Sequence, residues 1–174
     1  MRFALLLPLA ALVFSSCAGY HVGPIKPARM AAVNSVAVPS FKNETLLPRV
    51  EVLLANALIK QFQQDGTYQV ARDNDADAII QGHLEQIIRR PSRSVRGNVL
   101  LTREYILALR CRYDVTDRRT GAMLFTRAAF GQTSFFVSGT DAIAADTTQD
   151  ERQAFPLAAE QLAKDIVSHL SEGW

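Results

Sequence analysis

The stretch that most constrains this chain runs from Arg103 to Asp117, REYILALRCRYDVTD. Tyr105, Leu107, Leu109, Cys111, Tyr113 and Val115 alternate there with a set that carries Arg110, Arg112 and Asp114. A period of two puts the first set on one face of a strand and the second on the other, so the chain must build a sheet with one apolar and one charged face. Cys111 falls on the apolar face and is expected to be a small core residue, not a nucleophile.

The flanking segments extend the sheet. The short link RRTG turns the chain into Ala122 to Val137, a weaker alternation best explained by a hairpin. Upstream, Ala78, Ile80, Gly82, Leu84 and Ile88 take alternate positions within Ala76 to Arg90. The next residues, RPSRSVRGN, carry Pro91 and Gly97 and read as a loop or an irregular connection. SVAVPSF (Ser35 to Phe41) is a short strand stopped by Pro39, and Tyr68 to Val70 is a further short one.

Two segments have helical spacing instead. Pro48 sits near the start of the first, where its missing N–H costs nothing, and Val50, Leu53, Leu54, Ala57, Leu58 and Phe62 follow until Gly66. After a stretch of small and acidic residues from Ser138 to Asp150, Pro156 opens the second. Its stripe of Phe155, Ala158, Ala159, Leu162, Ala163, Ile166, Val167 and Leu170 opposes Glu160, Gln161, Lys164 and Asp165, which is a core-facing amphipathic helix. The order predicts an α+β two-layer sandwich: a mostly antiparallel or mixed sheet of four to five strands, with two helices packed on one face.

The N-terminus carries a different message. Met1 and Arg2 precede an apolar run from Phe3 to Phe14, broken only by Pro8, and then come Ser15, Ser16 and Cys17. This is the layout of a secretory signal peptide. The run is too short for the roughly 20 helical residues that cross a hydrocarbon core of about 30 Å. Small residues followed by Cys resemble the signal peptides of bacterial lipoproteins, in which the thiol is joined to diacylglycerol and the new amine is acylated, commonly with palmitate. Phe14 stands where such signals usually carry Leu. More than one acyl chain makes such anchoring stable. Ala18 follows the Cys in place of the Asp that favours inner-membrane retention, so the expected address is the outer membrane, facing the periplasm or a barrel lumen.

The expected organisation is therefore a cleaved signal over 1–16, a lipidated Cys17 with a tether over 17–33, and a single domain over 34–174. The segment from Ala18 to Val33 has no sustained period and holds two Pro and two Gly, which suits a tether. With Cys17 acylated, Cys111 has no disulfide partner. The domain is long enough to bury about two-thirds of its unfolded surface. A chain that is 48% hydrophobic and 21% charged, with a net charge of +2, is neither disordered nor strongly polycationic in bulk.

A search for chemistry finds no constellation. His21 lies in the tether, His83 on the polar face of a strand and His169 near the end of the last helix, none at metal-ligand spacing from another donor. There is no nucleophile elbow, HExxH or phosphate-cradling loop. Asp75 and Asp77 read as strand-entry residues. No metal, no cofactor and no enzymatic activity are expected.

The arginines are more informative. Arg89, Arg90, Arg93, Arg96, Arg103, Arg110, Arg112, Arg118, Arg119 and Arg127 crowd one region that has no Lys and only Glu104, Asp114 and Asp117 against them. Guanidinium forks engage phosphate or carboxylate bidentately, so the cluster is either a site for an anionic partner or a solvated sheet face with ordinary ion pairs. Nucleic acid is not the expected partner of an exported chain.

Taken in order, CAGYHV, SVAVPSFKNET, a helix, ADAIIQGHLEQI, the YDVTDRRTG turn and a final helix make the sequence resemble the LPS-assembly lipoprotein family LptE. The family commonly shows CGYH where Ala18 is inserted here. The resemblance implies a non-enzymatic protein that sits in the lumen of the LptD β-barrel as plug and assembly partner and binds lipopolysaccharide. Charge and loop position then single out Arg90, Arg93 and Arg96 as the lipopolysaccharide-binding residues. The alternatives are another outer-membrane lipoprotein, such as a regulator of peptidoglycan synthesis or a secretion accessory subunit, and an envelope enzyme with a pocket of titrating groups. A tether of about 15 residues reaches at most roughly 50 Å and favours a partner in or near the membrane.

Overall fold

A computed structural model describes residues 26–93, 103–137 and 147–172. A 3-10 turn (Ala28–Met30) leads into β1 (Ser35–Ala37), β2 (Lys42–Asn43), α1 (Val50–Asp65), β3 (Gln69–Val70), β4 (Ala78–Arg93), β5 (Arg103–Asp117), β6 (Met123–Val137) and α2 (Thr147–Ser171). The sheet runs β3-β1-β4-β5-β6, with β2 also alongside β4. The three long strands form an antiparallel meander, whereas β1 pairs in parallel with β3 and β4, and β2 in parallel with β4. This is the expected α+β sandwich on a mixed sheet. It has six strands because the two-residue β2 adds one that alternation over so short a span cannot reveal.

The alternation of β5 decides which face is buried. Leu107, Leu109, Cys111, Tyr113 and Val115 are all fully covered. Helix α2 packs over β5 and β6, and α1 packs against α2, β2 and β3. Leu54, Leu58 and Phe62 of α1 join Leu162, Ile166 and Leu170 of α2 in one continuous core, each fully buried side chain contributing roughly 1.5–3 kcal/mol. Gly66 ends α1 at φ 76, its N–H bonding to the Phe62 carbonyl at 3.0 Å, a left-handed stop that glycine makes without strain. Gly131 of β6 lies against α2 so closely that a Cβ there would meet the Ala158 carbonyl and the Leu162 backbone.

Three local expectations are corrected. Pro91 does not end its strand: β4 continues to Arg93, with Pro91 opposite Tyr105 and a register irregularity just after it. It is tolerated because, beyond β2, no described strand pairs on that side of β4, and sheet edges and bulges accept a residue without an N–H. Pro156 does not open α2 but lies inside it, so the helix takes in residues that read as loop. Met30 and Val33, placed by sequence in the tether, are buried in the core. The signal segment, Cys17, Ala18, His21, Arg96 and Gly97 lie outside the described residues.

Candidate functional site

Because both helices occupy one face, the opposite face of β4, β5 and β6 has no helix over it among the described residues. The register places Ile88 beside Ala108, Arg90 beside Ile106, Gln86 beside Arg110 and Arg110 beside Phe130. Further along, Glu104 faces Phe136. Ile88, Phe130 and Phe136 are 42%, 58% and 57% exposed. Large apolar side chains grouped on one open face are the kind of patch that marks an interaction surface. The Arg110 guanidinium stands 5.8 Å from the centre of the Phe130 ring, so cation and apolar surface are interleaved.

The arginines divide into two groups. Glu85 sits between Arg110 (3.4 Å) and Arg112 (3.5 Å), and Arg112 also reaches Asp114 at 2.7 Å. Arg89 turns to the helix side and binds Glu151 of α2 at 2.6 Å, and Arg118 donates to the Ala76 carbonyl at 2.6 Å. For these the solvated, ion-paired reading holds. Arg90 is exposed and has no ion pair among the described residues. Of the three residues singled out by sequence, Arg90 and Arg93 therefore lie on a strand, not in a loop, because β4 outlasts Pro91. Arg90 points to the open face, opposite Ile106; Arg96 lies outside the described residues.

His83 sits on the polar face as expected, but it is only 8% exposed. Its Nε2 is 3.3 Å from Asp114 and its Nδ1 is 3.7 Å from Glu44. The cause is β2, whose pairing with β4 at His83 and Leu84 brings Glu44 over the ring. Burial alone would raise the Asp114 pKa, but the Thr126 hydroxyl and Arg112 outweigh it and hold the carboxyl below its usual range. His169 lies against the Tyr113 hydroxyl at 3.2 Å, and burial lowers its pKa despite the opposing pull of Asp165. Burial pushes the Cys111 thiol up to about 12, as a core cysteine requires. Asp77 accepts from the Asn34 and Ser35 backbones and the Ser35 hydroxyl, each at 3.0 Å, tying the start of β1 to the entry of β4. The arrangement offers charge and apolar contact; Asp165 also lies 3.6 Å from the His169 ring that meets Tyr113, but that tyrosine is fully buried, out of a substrate's reach.

Phe130 and Phe136 were missed as surface residues. The signal was present: Phe135 and Phe136 are adjacent in a strand, so they cannot share a face.

The family model described as lipopolysaccharide-assembly, LptE, matches residues 33–170. Among solved structures, a hypothetical protein from Chlamydia trachomatis aligns with a TM-score of 0.52 at 8% identity, covering 80% of this chain and 96% of that one. A Helicobacter pylori protein described as a homologue of a neuraminyllactose-binding hemagglutinin aligns with a TM-score of 0.50 at 13% identity, covering 88% and 93%. A minor lipoprotein from Acinetobacter baumannii aligns with a TM-score of 0.49 at 18% identity, covering 79% and 92%. Identities this low speak to the fold alone. Comparison with curated protein sequences finds no match. The family match spans the sandwich from Val33 to the last turn of α2, and on that ground the chain belongs to the LptE family: it is an outer-membrane lipoprotein of lipopolysaccharide assembly.

Proposed function

We propose that this domain partners and plugs an LptD-like β-barrel, and that the arginine-bearing end of β4 binds lipopolysaccharide as it passes. The role is one of binding and assembly, not catalysis, and needs no cofactor. The observation that carries the reading is the sheet face that no described helix covers, which sets Arg90, without an ion pair among the described residues, beside exposed Ile88, Phe130 and Phe136. An acylated and phosphorylated glycolipid has both complements: phosphates for guanidinium forks and hydrocarbon for the apolar side chains. Acylation of Cys17 and the short segment after it would hold the domain beside a barrel at high effective concentration.

The test is binding of purified lipopolysaccharide by the Arg90→Ala/Arg93→Ala/Arg96→Ala variant. Affinity is expected to fall about tenfold or more, in line with roughly 1.5–3 kcal/mol for a hydrogen bond to a charged group. Undiminished binding would remove these residues from the site. Affinity capture of the lipidated protein from solubilised outer membrane tests the partner: a large β-barrel in near-stoichiometric amount is expected, whereas recovery of a peptidoglycan synthase would favour the regulator reading.

A further inference from the structure

Around the free edge of β4, on the helix side, a cleft of about 800 Å³ opens between the N-terminal parts of α1 and α2. This is the size of a small-ligand site, roughly 300–1,000 Å³. Its walls are Leu47, Val50, Leu53 and Phe155, and its polar groups are Arg49, Arg89, Arg152 and Glu151. Arg89 is already neutralised by Glu151. Arg49 and Arg152 are exposed, and neither guanidinium has a partner among the described residues. Arg49 holds its place with φ 71, the only positive φ at a non-glycine among the described residues, a conformation that costs strain and persists where the surroundings enforce it. A second groove of about 500 Å³ adjoins the cleft, sharing Leu47 and Arg89, and carries Ile88 and the wholly exposed Leu46. Two cations without a partner among the described residues, at the mouth of an apolar trough, have one natural complement, a molecule that is anionic at one end and hydrocarbon at the other.

We infer that this cleft is a second lipid site, separate from the open sheet face, in which Arg49 and Arg152 grip a phosphate while an acyl chain lies along Leu47, Leu53 and Phe155. The inference rests on the proposed binding of lipopolysaccharide and adds where part of the lipid lodges.

The experiment measures binding of purified lipid A to the full lipidated protein in detergent, for wild type, for Arg49→Gly/Arg152→Ala and for Arg90→Ala/Arg93→Ala/Arg96→Ala. Glycine at 49 removes the guanidinium while accepting the left-handed backbone, so loss of folding is avoided. A photo-crosslinking residue at position 48, on the cleft lining, with one at the exposed position 164 as control, reports location directly. The expected result is a roughly tenfold loss of affinity in Arg49→Gly/Arg152→Ala and lipid A captured at 48 but not at 164. Wild-type affinity in that variant, with the β4 variant impaired, would overturn the cleft and leave the proposed function standing. Displacement of lipid A from position 48 by inorganic phosphate alone would reduce the cleft to a simple anion site and overturn the acyl assignment. A wild-type protein that binds no lipid A would sink both.

Discussion

Tyr68 shows how one residue writes itself into the pH behaviour of the whole domain. It is 2% exposed and donates its hydroxyl to the Leu170 carbonyl at 2.6 Å. Burial first, and the negative charge of Asp65 second, push the phenol from 10 up to about 12. A folded pKa above the unfolded one means that the stabilisation is complete below pH 10 and is lost as pH climbs from there through 12. The Cys111 thiol does the same from 9 to about 12. The urea midpoint is thus expected to be level up to about pH 9 and to fall steeply beyond it. Tyr68→Phe should lose about 1 kcal/mol at neutral pH and show a shallower alkaline fall. A fall as steep as that of wild type would assign the effect to other groups. Residues whose role is set by their own strand were legible in the sequence, as with Cys111, whereas the bonds of Asp77 to Asn34 and Ser35 were not. His83 was legible only in part, because Glu44, which covers it, follows a strand that pairs there from far away in sequence.

The elements were legible where periodicity ran long and were misjudged where proline intervened. Local rules place Pro91 and Pro156 at element ends, yet both lie inside. Pro91 is accommodated by a sheet edge that only the topology creates. Pro156 is accommodated because the turns before it are tied down: Glu151 is held by Arg89, and Ala154 and Phe155 are buried. The cost remains, since Pro156 cannot donate to the Arg152 carbonyl. Pro156→Ala, at an exposed position, should therefore raise stability by about 1–3 kcal/mol, read as a higher thermal midpoint. An unchanged midpoint would mean that the helix relaxes fully around the ring. The same distance effect hid the cleft. Arg49, Arg89 and Arg152 are strangers in sequence, and no spacing rule brings together two helix starts and a strand edge.

At the scale of the molecule, the described helices finish one face of the sheet and leave the other open. Phe130→Thr/Phe136→Thr should leave stability within about 0.5 kcal/mol, as for surface changes, while reducing concentration-dependent self-association of the isolated protein in sedimentation velocity. Equal self-association would mean that this face does not drive it. The long strands carry a further consequence. With 16 residues at roughly 3.3 Å each, β4 is about 50 Å from end to end, against roughly 30 Å for the hydrocarbon layer of a bilayer. Lys26 bonds to the Val33 carbonyl beside β1, which pairs with the first residues of β4, so the first described residues lie at one end while Arg90 and Arg93 stand towards the other. For a domain anchored at Cys17 and seated in a barrel as proposed, the sheet is a measuring rod, long enough to set its arginines a full hydrocarbon thickness away from its other end.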